Sequence, residues 1–193
     1  MRLLDRLVAP GATSGEVVAG FGAAAAGAVL ALAIALGARL PPLSVAVVTV
    51  IAFDLYGGAV VNATRSAKRH FHRPGRTDRH RLAFVALHLH PFVLAWAVPG
   101  VSWGAAATLY GLILAGALAV TAVPGALRRP TAFAATALAL TVGTSVVPFP
   151  RELAWFAPVL LIKLLLSHLL PEDSVTDAGG PPYDQRRNPE EVS

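Results

Sequence analysis

The stretch EVVAGFGAAAAGAVLALAIAL, residues 16–36, decides the fold. After Glu16 it continues for twenty residues without a charge. At 1.5 Å per residue, a helix of about that length reaches the roughly 30 Å of a bilayer's hydrocarbon core. The acid at its start suits the positive end of a helix dipole, and Gly37 with Pro41-Pro42 marks its end. A soluble helix would carry charges along one face at a 3.6-residue period, and this one carries none.

Five more apolar segments follow the same logic: Leu43–Ala63, Leu82–Val98, Trp103–Val123, Thr131–Val147 and Leu153–Leu170. Pro99-Gly100, Pro124-Gly125, Pro148 and Pro150 fall between or at the ends of these segments, where helices break. The expectation is an all-α polytopic membrane protein. Residues 1–170 form a bundle of about six transmembrane helices with a basic loop at 64–81, and 171–193 form a polar, disordered tail. Composition agrees, with 14% charged residues where soluble domains carry about 25%. Mean hydropathy is +0.61.

The basic residues are unevenly placed. Arg2, Arg6, seven residues from Arg65 to Arg81, Arg128, Arg129, Arg186 and Arg187 fall on one side of a six-span chain, and only Arg39 and Arg151 on the other. Positive charge accumulates in cytoplasmic loops, so both termini and the basic loop are expected in the cytoplasm of a bacterial-type plasma membrane (the inner membrane of a cell with two). The same rule accounts for the net charge of +5 without nucleic acid. The N-terminus is too charged and its apolar run too short for a cleaved signal, so the first helix is expected to act as an uncleaved one. The absence of cysteine excludes disulfides, thiolate metal sites and cysteine nucleophiles. No P-loop, dinucleotide fingerprint or GxSxG is present.

Small residues (Gly20, Gly22, Ala24, Ala26, Gly27, and the pair Gly111 and Ala115) invite close helix packing. Trp96, Trp103 and Trp155 read as an interfacial aromatic belt. Lys163 lies within the sixth segment, and Asp78 is expected to pair with an arginine in its loop.

The chemistry is expected around Asp54, about ten residues from the cytoplasmic end of the second segment. An acid at that depth costs about 2.5–3.5 kcal/mol and needs a partner in the bundle. Gly57 and Gly58 clear room beside it, and Asn62 lies two turns on, so Asp54 and Asn62 are the catalytic candidates. All six histidines fall in the same leaflet or just outside it: His70, His72 and His80 in the loop, His88 and His90 in the third segment, His168 in the sixth. On a regular helix His88 and His90 point about 200° apart and cannot chelate one ion, although Pro91 disturbs the helix there.

Asp54, His72, His88, His90 and His168 form the candidate metal set, an N/O donor group suited to zinc or iron. Arg65, Arg69 and Arg73 are the candidate headgroup clamp. The expected activity is a metal-dependent enzyme acting on a lipid-like or isoprenoid substrate, with membrane lipids as surroundings. The alternatives are a metal-free isoprenoid cyclase using Asp54 as acid, a small transporter, and a non-catalytic scaffold.

Overall fold

The computed structural model describes residues 9–73 and 75–171; Arg2, Arg6 and the tail beyond Pro171 lie outside the described residues. Those residues are all-helical, with no strand among them. The first helix, α1 (Ser14–Gly37), opens on a capping box: the Glu16 amide donates to Thr13 Oγ1 (3.2 Å) and the Thr13 amide to Glu16 Oε2 (2.8 Å). Glu16 does more than start a helix. It also accepts from the Ser66 amide at 3.1 Å, tying α1 to the distant loop. The far end of α1 falls at Gly37, as the sequence suggests. Leu40 and Arg39 amides return to the carbonyls of Ala35 and Leu36, with Arg39 itself at φ 55.

Helix α2 (Pro42–Ala63) turns back antiparallel along α1, with Pro42 in its first turn. Close approach explains the small residues. A Cβ on Gly20 would lie 2.7 Å from Val61, one on Gly27 2.3 Å from Tyr56, and one on Gly57 2.8 Å from Ala24. Gly22 and Gly111 face open space, so the pair Gly111 and Ala115 plays no part in the packing of this chain.

The third apolar segment is not one helix. Short α3 (Arg65–Phe71) is followed by α4 (Asp78–Ala86), and after a turn at residues 87–89 by α5 (His90–Ala97). Pro91 has no amide proton and its ring crowds the carbonyl of Leu87, which favours a break here. Tyr110 Oη donates to the Ala86 carbonyl, at the end of α4, at 2.7 Å. Two long helices follow, α6 (Trp103–Ala122) and α7 (Gly125–Ser145), the second with Arg128, Arg129 and Pro130 near its start.

The sixth segment is also composite. A 3-10 turn at Arg151–Leu153 leads into α8 (Phe156–Leu161), which widens into a π-helix over Ile162–His168. This last rod is the axis of the bundle, packed against α2, α6 and α7, with Leu160, Leu161, Leu164 and Leu165 fully buried.

Among the described residues three helices, α1, α2 and α6, are long and apolar enough to cross a membrane. Large apolar side chains face outward, including Val18 at 71% exposure and Leu138 at 69%, the inverse of a water-facing surface. Trp96 and Trp103 share that outer face, but Trp155 turns inward against Tyr56, with ring centroids 5.7 Å apart.

Candidate functional site

Three elements converge beside Gly58. From α2 comes Asp54, from the break between α4 and α5 come His88 and His90, and from the π-helix comes Lys163. A Cβ on Gly58 would lie 2.5 Å from Lys163 Cε, so any larger residue there would displace the lysine from its present position. Lys163 Nζ donates to Asp54 Oδ2 at 2.5 Å and to the Asp54 carbonyl at 3.2 Å. Lys163 is 3% exposed while the Asp54 side chain is 49% exposed. The cation is enclosed and the carboxylate faces outward.

The break at residues 87–89 changes what the histidines can do. The regular-helix expectation held them apart; here their ring centroids are 5.3 Å apart and both sit beside Asp54. His90 Nε2 lies 3.3 Å from Asp54 Oδ2. His88 Nδ1 donates to the Phe84 carbonyl at 2.7 Å. A carbonyl only accepts, so the proton is on Nδ1 and the lone pair on Nε2, the arrangement of a metal-ligating imidazole steadied by its backbone. One ligand atom each from Asp54, His88 and His90 lies within 4.8 Å of the others. Both side-chain contacts of Asp54 fall on Oδ2.

That groove encloses about 330 Å³ between α1, α2, α3, α4 and the π-helix. Phe21, Phe53, Val61, Phe71 and Phe84 form its apolar walls, and Asp54, Asn62 and Lys163 its polar points. Asn62 is thus on the same groove as Asp54, with its Nδ2 buried and unpartnered.

The other expected residues are elsewhere. His168 stacks on Phe84 at 3.9 Å, with neither ring nitrogen partnered, outside the three-residue group. His72 is outside it too: Nε2 donates to the His168 carbonyl at 3.1 Å. Burial pushes the His72 imidazole below its ordinary pKa against the pull of that carbonyl, and the cations of Arg81, Lys68 and Arg128 add to the push. His70 contacts Arg73 (2.9 Å) and His80 caps α4 through Thr77. None of Arg65, Arg69 and Arg73 lines the groove. Lys68 is buried, its ammonium donating to the carbonyls of Ser167 and Leu170 at the end of the π-helix. Asp78 pairs with Arg81 within the loop and, in a two-pronged contact at 2.8 and 3.0 Å, with Arg128 of α7.

Lys163 is the site residue that sequence reading missed. A signal existed: an acid and a lysine, each alone in an apolar segment, satisfy one another better than any other partner can. Comparison with known protein families, with curated proteins and with solved structures finds no match.

Proposed function

We propose that the chain is a multi-pass enzyme of a bacterial-type plasma membrane, with six spans and both termini cytoplasmic. In this reading it binds a divalent metal, zinc or iron, at Asp54, His88 and His90 and acts on a lipid-like substrate. The observation that carries the reading is the convergence of two imidazoles on one carboxylate, Asp54, which itself lines a groove with apolar walls. Two histidines and one carboxylate leave coordination positions open, as a catalytic rather than a structural site requires. The uneven basic residues support the orientation, which puts Asp54 in the cytoplasmic leaflet.

A metal there supplies Lewis acidity or, if iron, redox chemistry. The protein's own groups do the rest. Lys163 fixes the Asp54 carboxylate in direction, the Phe84 carbonyl presents the His88 lone pair, and the apolar walls exclude water from the substrate. The test is metal content of untagged protein purified in detergent. Near-stoichiometric zinc or iron is expected, lost in Asp54→Asn, His88→Ala and His90→Ala and kept in Arg69→Ala. Metal retained unchanged in all three site variants would overturn the metal reading. A metal-free reading is favoured by Lys163 on Oδ2, where the ion pair and His90 form a proton-transfer unit, and it requires turnover to survive chelation.

A further inference from the structure

Beside the carboxylate, the groove carries hydrogen-bond donors that no protein group takes up. As an ammonium, Lys163 has three N–H donors, of which two go to Asp54. Asn62 is 5% exposed, lines the groove, and its Nδ2 has no partner. Buried polar groups in native proteins are paired almost without exception, so a donor left open in a cavity implies an acceptor that comes from outside.

The spacing says what kind of acceptor. Lys163 Nζ would lie 2.8 Å from a Cβ on Gly58, so the ammonium rests over that residue. Asn62 stands four residues on, about 6 Å along the helix. Donors about that far apart are bridged by the oxygens of one carboxylate or phosphate group, each accepting a hydrogen bond of about 2.9 Å. The rest of the groove is apolar, and Phe21 and Phe53, 38% and 43% exposed with rings 6.4 Å apart, flank its outer side. Its volume of about 330 Å³ is at the small end for a ligand pocket, enough for a head and the start of one chain.

We infer that the groove binds a single-chain amphiphile by an oxyanionic head, held between Lys163 and Asn62, with its chain passing Phe21 and Phe53 toward lipid. This rests on the proposed lipid-like substrate and names the head that recognises the site. It also moves head recognition from the loop arginines to two residues inside the bundle.

The experiment uses the full chain in detergent, with oleate, oleyl phosphate and methyl oleate as probes and binding followed by native mass spectrometry. Saturable binding of at least one oxyanionic probe is expected, with methyl oleate at least tenfold weaker; the tighter of oleate and oleyl phosphate identifies the head. Asn62→Asp keeps the shape but replaces the donor with an acceptor, and Asn62→Leu removes it. Both are expected to weaken the oxyanionic probe tenfold or more and leave methyl oleate unchanged, in protein whose thermal unfolding midpoint matches the parent. Equal binding of methyl oleate and oleate, or full oxyanion binding by both Asn62 variants, overturns the inference. Metal bound without head selectivity refutes this inference alone, and head selectivity without metal refutes the metal reading alone.

Discussion

Lys163 and Asp54 are bonded to one another, yet removing them has unequal consequences. In Asp54→Leu the lysine remains, 3% exposed and surrounded by α2 and the α4–α5 break, with only a backbone carbonyl for company. An uncompensated buried charge of this kind destabilises by about 3–5 kcal/mol. In Lys163→Met the survivor is a carboxylate 49% exposed to the groove, which keeps its contact with His90. Half the desolvation is absent, so about 1–2 kcal/mol is expected, at the low end for breaking a charged hydrogen bond. The double variant leaves no orphan charge and should recover most of the Asp54→Leu loss. Equilibrium unfolding in mixed detergent micelles measures all four corners of the cycle. Lys163→Met as damaging as Asp54→Leu, or a double variant whose losses simply add, would refute the enclosed-cation argument.

Three further outcomes follow from other parts of the molecule. Because the chain has no cysteine, single cysteines report topology cleanly: in intact cells one at Thr77 should resist a membrane-impermeant thiol reagent and one at Ser102 should react, and labelling at Thr77 would reverse the orientation. Gly27→Ala puts a methyl 2.3 Å from the root of the Tyr56 ring and should destabilise by about 1–3 kcal/mol, while Gly22→Ala, in open space, should be neutral or slightly stabilising in the same unfolding assay. Burial works to raise the Asp78 carboxyl pKa, but hydrogen bonds from Arg128 and Arg81 outweigh it and hold it low. A depressed folded-state value means this contribution is present above the unfolded carboxylate range, near pH 4, and is lost as pH falls below it, so the parent should lose more stability than Arg128→Ala between about pH 5 and pH 3.

The three helices long and apolar enough to cross a membrane, α1, α2 and α6, were legible because length and near-absence of charge are written in consecutive residues. The break in the third segment was half legible. Pro91 announced a disturbance, but not that the turn at residues 87–89 would bring both histidines to one side of Asp54. The place of the sixth segment at the centre of the bundle was not legible, since the same hydropathy serves a helix facing lipid and one facing other helices.

What the sequence determined by itself is local: which runs are apolar, where proline and glycine interrupt them, how charge is partitioned between their ends, and that a lone deep acid needs a partner. What only the tertiary structure decided is which partner. Lys163 is 109 residues from Asp54, and it reaches the carboxylate because Gly58 leaves room for its stem, with the lysine itself on a helix widened into π geometry. Lys68, by sequence one of seven loop cations, is drawn inward to the last carbonyls of that helix. Pairings of this kind depend on helix rotation and close approach, and those are set by the packing of the whole bundle rather than by any single segment.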